Sequence, residues 1–159
     1  METKDISLSE KGSGGEISIK GDDLVLSESL YQLVYISLFG GNIEDITTGT
    51  EISTQQRNDY WANTLFHSDS PKKQFNSITE DTLRNTVLNS SGRIEIERAV
   101  IKDLEFLNEF SNYSVEVSIL NQNRVEILIR ITPFTNLQEQ RLQLIFDNAN
   151  EQLILQEEI

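Results

Sequence analysis

Apolar residues recur along this chain in two different rhythms. Val115, Val117 and Ile119, then Val125, Ile127, Ile129 and Ile131, alternate one-for-one with other residues, the period of a strand with one face buried. The two runs meet at Asn121-Gln122-Asn123, so an antiparallel hairpin is predicted there. Pro133 closes the second strand, because proline has no N–H to give a ladder. Leu142, Leu144 and Phe146 alternate again, and Asp147-Asn148-Ala149-Asn150 predicts a turn into a last strand at Leu153-Ile154-Leu155.

The other rhythm is helical. Leu30, Leu33, Val34 and Leu38 fall on one face, Tyr31, Tyr35 and Phe39 form a second stripe, Ser27 or Ser29 is the expected cap, and Gly40-Gly41 the expected end. A helix apolar on two faces must lie between layers or partners. A second helix is predicted from Ser77 or Thr79 through Asn89, with Glu80 and Asp81 at its N-terminus and Leu83, Val87 and Leu88 buried. Ser90-Ser91-Gly92 is expected to break it. A third, Ile94 to Phe110, should bury Ile96, Val100, Leu104 and Leu107 beside Ala99, with Phe106 and Phe110 closing it. Its other side carries Glu95, Arg98, Lys102, Asp103, Glu105 and Glu109, as in an amphipathic helix packed on a sheet.

Asp5 to Lys11 alternates weakly, and Gly12-Ser13-Gly14-Gly15 reads as a flexible turn. Glu16 to Lys20 and Leu24-Val25-Leu26, on either side of Gly21-Asp22-Asp23, predict a small hairpin. From Asn42 to Arg57 the chain is a long polar stretch, and long loops are often functional or ordered by a partner. Tyr60-Trp61 follows, the tryptophan being either a core plug or an interface anchor. Leu65-Phe66 extend that cluster, and Ser68 to Lys73, with Pro71, is a turn. The expected fold is one α+β domain over residues 1–159, an antiparallel sheet with two or three packed helices. Its parts are N-terminal strands at 1–28, a helical part at 29–110 with a loop at 42–59, and a C-terminal β part at 113–155.

Composition narrows the chemistry. Cysteine is absent, which removes disulfides and thiolate metal sites and fits a reducing compartment. The N-terminus has no apolar signal core and no stretch is long enough to span a bilayer, so the chain is expected to be made and kept soluble. The sequons at Asn89 and Asn112 are therefore expected to stay unmodified. Thirteen basic against 26 acidic residues give a formal charge of −13, which repels nucleic acid and anionic membranes and favours a basic partner.

Catalytic patterns are missing. His67 is the single histidine, in a polar stretch without a nucleophile elbow, and reads as an ordinary surface or half-buried residue. No histidine or cysteine spacing fits a metal, and the glycine run precedes a strand, not the helix N-terminus a phosphate cradle needs. A carboxylate glycosidase is the enzyme alternative, but Glu95 and Glu97 read as solvated and Asp22-Asp23 as a turn. No catalytic, cofactor-binding or metal-binding residue is therefore expected. The second alternative is an acidic binding module imitating DNA, against which stands the interspersion of the acids with regularly spaced apolar residues.

In order and spacing, Asp5 to Asn148 resembles the small baseplate wedge proteins of Mu-like contractile-tailed phages, relatives of the gpW-like wedge component. The strand pair at Ile17 to Leu26 comes first, then Val34-Tyr35-Ile36-Ser37-Leu38-Phe39, similar to that family's first helix. Arg57-Asn58-Asp59-Tyr60-Trp61 is similar to its Gly-Trp-Trp-Gly-Asp region, with Tyr60 in place of one tryptophan and Ala62-Asn63 in place of Gly-Asp. Ile94 to Phe110 and the strand pair ending at Thr132-Pro133 keep the family order.

The resemblance implies a structural subunit near the tail tube, in contact with larger wedge proteins and with tail sheath and tube proteins. It implies that terminal β structure extends a sheet shared with the first sheath ring. Tyr60, Trp61, Leu142, Leu144, Phe146, Leu153 and Leu155 are the expected interface residues. Arg141 to Phe146, or Gln152 to Leu155, either pairs with another chain or closes the last hairpin of its own sheet.

Overall fold

The structure, a computed structural model, describes residues 4–10, 15–17, 19–40, 68–69, 77–135 and 137–159. The loop expected at 42–59, Tyr60, Trp61, Leu65, Phe66, His67, Pro71 and most of the glycine run lie outside the described residues, as do the side chains of Ser27 and Ser29. The fold is α+β.

Its centre is a four-stranded antiparallel meander of β7 (Ser111–Asn121), β8 (Arg124–Pro133), β9 (Gln140–Asp147) and β10 (Gln152–Glu158), in the order β10-β9-β8-β7. The alternation dictates which face turns inward: Val117 on β7, Val125, Ile127, Ile129 and Ile131 on β8, and Leu142, Leu144 and Phe146 on β9 are all buried. The register stacks them, Ile127 lying opposite Val117 on one side and Leu144 on the other. Truncating Leu144, which is wholly buried, to alanine would cost about 2–5 kcal/mol. The predicted hairpin is present, its turn held by the Asn121 side chain accepting the Asn123 N–H at 2.9 Å. Pro133 ends β8 two residues beyond the last β9 pairing, at Ile131, so its missing donor leaves no gap there.

Three helices cover the inward face. In α1 (Ser29–Phe39), Val34, Tyr35 and Leu38 are buried, and so are Gln32 and Ser37, consistent with packing on more than one side. The Ser37 hydroxyl is satisfied inside the helix by the Leu33 carbonyl at 2.7 Å. At Gly40 a Cβ would stand 2.3 Å from the Ile36 carbonyl, so the chain can leave the helix this tightly only with glycine.

The next two elements differ from expectation. The second helix, α2 (Thr79–Asn85), stops before Thr86, and Val87 is 74% exposed instead of buried. Ser90-Ser91-Gly92, expected as a break, forms the first turn of α3 (Ser90–Asp103). Asn89 makes this so: its side-chain oxygen accepts the N–H groups of Ser91 and Gly92, both at 2.9 Å, and serine and glycine cost little in a first turn with a good cap. The helix predicted to run to Phe110 is α-helical only to Asp103 and tightens into a 3-10 turn at Glu105–Glu109. The tighter winding keeps Leu104 and Leu107 fully buried together, while Phe110 emerges at 38% exposure.

At the N-terminus, β1 (Lys4–Ile6), β2 (Leu8–Glu10), β3 (Gly15–Ile17), β4 (Ile19–Lys20), β5 (Asp23–Leu24) and β6 (Leu26–Glu28) form an arm of three strand pairs. The predicted hairpin is only two pairs deep, Ile19 with Leu24 and Lys20 with Asp23, around Gly21 at a positive φ of 68°. Its expected continuation is diverted, since β3 pairs with β2 and β6 with β1. The segment from Asp5 to Glu10 supplies the competing ladder partners, Ile6 pairing with Leu26 and Leu8 with Ile17.

Candidate assembly surfaces

The buried carboxylate of Asp147 and the half-buried one of Asp103 are the first places to look for chemistry, and both hold the fold together. Asp103, in the last turn of α3, accepts the N–H groups of Thr79 at 2.8 Å and Ile78 at 3.0 Å, and so caps α2 from a different helix. Burial pushes its carboxyl above the usual aspartate range, while hydrogen bonds from Thr79, Ile78 and Ser77 pull the other way. Ser77 ties the same corner to α1, its hydroxyl donating to the Leu38 carbonyl. Asp147 ends β9 and accepts the N–H groups of Ala149 at 3.0 Å and Asn150 at 3.2 Å, with Arg124 at 3.4 Å. Desolvation would raise this carboxyl, but the hydrogen bonds from Asn150 and Ala149 and from Arg124 together hold it below the usual range.

The remaining acids considered above are dispersed. Glu95 is exposed, Glu97 pairs with Arg93 at 2.7 Å, and Asp22 and Asp23 sit at the arm's hairpin tip. Among the described residues no group of three or more His, Cys, Asp or Glu side chains is placed to hold a metal ion. Nor is any described helix long and apolar enough to cross a membrane.

Of the expected interface residues, Leu142, Leu144, Phe146 and Leu153 all turn into the chain's own core. Leu155 lies on β10 opposite Ile145, and Tyr60 and Trp61 lie outside the described residues. Arg141 to Phe146 has no unpaired ladder either, because β9 is flanked by β8 and β10. It closes a hairpin with β10, so among the described strands of this sheet the open edges belong to β10 and β7.

The exposed apolar surface is elsewhere. On the arm, Ile17 is 53% exposed, Ile19 67%, Leu24 46% and Leu26 54%. Ile19 faces Leu24 and Ile6 faces Leu26 across their ladders, so each pair shares a face. A second group, Ile94 and Ile101, lies on the outer flank of α3. Both groups stand in the sequence as apolar residues of predicted elements, the hairpin at Glu16 to Leu26 and the helix from Ile94. What the sequence lacked was any sign of which ones stay uncovered.

Comparison with known protein families, with curated proteins and with solved structures finds no match for this chain.

Proposed function

We propose that this chain is a structural subunit of a larger protein assembly, and specifically a baseplate wedge component of a contractile phage tail or related injection machine. In this reading it links larger wedge proteins to the first sheath ring near the tail tube, and acts through contact alone. The observation that carries the reading is the N-terminal arm. Among the described residues, Ile6, Ile17, Ile19, Leu24 and Leu26 on this small ladder are exposed apolar side chains with surface to bury. Strand pairs this short are marginal alone and gain their order from a third layer. The formal charge of −13 adds that the surface receiving the arm is basic at its rim.

The test has two parts. The genes flanking this one should encode a larger baseplate wedge protein and a tail spike. Co-expression with that wedge protein should give a complex stable to gel filtration. A complete neighbourhood without tail genes, or a wedge protein that elutes separately at micromolar concentration, removes the reading.

A further inference from the structure

We infer that the outer edge of β7 is a strand-addition site for an extended segment of another protein, one in which apolar residues alternate with basic ones. The inference rests on reading the chain as an assembly subunit and names an edge, a register and a partner chemistry for it.

The edge is long and weakly guarded. No described strand pairs with β7 on its outer side. The Phe134 N–H donates to the Phe110 carbonyl at 3.0 Å, so that couple is a hydrogen-bonded pair, and the register carries the alternation inward. Asn112, Ser114, Glu116 and Ser118 therefore turn their backbone groups toward β8. Tyr113, Val115 and Val117 turn theirs to the open edge.

Proteins normally blunt such an edge with lysine, proline or a bulge. β10 has a register shift at Leu153 to Leu155 and ends in Glu157-Glu158. β7 has neither lysine nor proline, its irregularity is confined to the turn end at Ile119 to Asn121, and its one acid, Glu116, is paired with Arg130 at 3.1 Å.

A floor for the added strand lies beside this edge. Helix α3 packs on β7, and the Tyr113 hydroxyl donates to the Ile101 carbonyl at 3.1 Å. Ile94 and Ile101, seven residues apart on one stripe, are 41% and 43% exposed. A strand laid along β7 would direct every second side chain toward this shelf, which calls for apolar residues there. Its other side chains would share the outer face with Ser114 and the Glu116–Arg130 pair. A chain of net charge −13 favours lysine and arginine at those positions.

The probe is a blocked peptide of alternating lysine and valine, compared with its glutamate–valine counterpart by amide hydrogen exchange on the full chain. The lysine peptide should slow exchange at Tyr113, Val115 and Val117 by about ten-fold, with β10 unchanged. Ile101→Glu should abolish that protection without moving the melting temperature. Protection absent from β7, centred on β10, equal for the two peptides, or unaffected by Ile101→Glu would each overturn the inference. If a wedge complex forms while β7 stays unprotected, the edge assignment alone fails. If β7 is protected but no wedge complex exists, the wedge reading alone fails.

Discussion

The Asp103 carboxylate lies 2.8 Å from the backbone nitrogen of Thr79, and through this contact the last turn of one helix caps the first turn of another. The residue at the N-cap position of α2 is Ile78, whose side chain has nothing to offer the free N–H groups. Asp103→Ala should therefore lower stability by about 1–3 kcal/mol, since it strands buried donors, and denaturant unfolding would measure it.

The same carboxylate sets a pH dependence. Its folded pKa is raised, chiefly by burial, so the folded state holds this proton more tightly than the unfolded chain does. Its contribution is then largest below the ordinary aspartate range and is lost as pH rises through the raised value. Asp103→Asn, with its oxygen in the Oδ2 position, keeps an acceptor for Thr79 at 2.8 Å and Ser77 at 3.2 Å and removes the titrating group. The variant should lose this downward step while remaining folded. Melting temperatures across mildly acidic pH would show it, and an unchanged step would assign the titration to another group.

How far the sequence reveals this architecture depends on the range of the interactions. The β7–β8 hairpin was legible because alternation is local and repeats over many residues, and Asp147-Asn148-Ala149-Asn150 because a turn carries its own chemistry. The cap of α2 was not, because Asp103 stands 25 residues from Ile78 and reads locally as one more acid on a polar helix face. Val87 has the right spacing for a buried face, yet the helix ends before it, since Asn89 has begun the next. Three residues expected at an interface lie in the chain's own core for a related reason. Leu142, Leu144 and Phe146 advertise a strand with a buried side, and only the sheet order reveals that the chain supplies that burial itself.

Gly92 reverses the usual helix rule. In an exposed helix, replacing glycine by alanine gains up to about 1 kcal/mol. Here a Cβ would stand 2.1 Å from the Val87 carbonyl and 2.7 Å from the Thr86 methyl, so backbone must move. Gly92→Ala should instead destabilise by about 1–3 kcal/mol in a denaturant melt.

The far end of α2 is held by Asn148, whose side-chain amide donates to the Leu83 carbonyl at 2.6 Å. Asn148→Ala should cost about 1 kcal/mol. Combined with Asp103→Ala it should cost less than the sum, because a helix already released at one end has less order to lose at the other. Faster amide exchange confined to α2 would accompany both changes.

The arm offers a separation of folding from assembly. Ile19 and Leu24 face each other at high exposure, so Ile19→Asp with Leu24→Asp removes little that the isolated chain buries. Folding stability of the whole chain should stay within about 0.5 kcal/mol. Burying such a side chain fully against a partner contributes about 1.5–3 kcal/mol, so the pair should weaken association with a flanking wedge protein by at least about a hundred-fold. Val87→Asp, at the still more exposed Val87 outside the arm, is the control that should leave binding untouched. A double variant that binds as tightly as the parent would mean that the arm's aliphatic face meets no partner, and the proposed role would lose its main support.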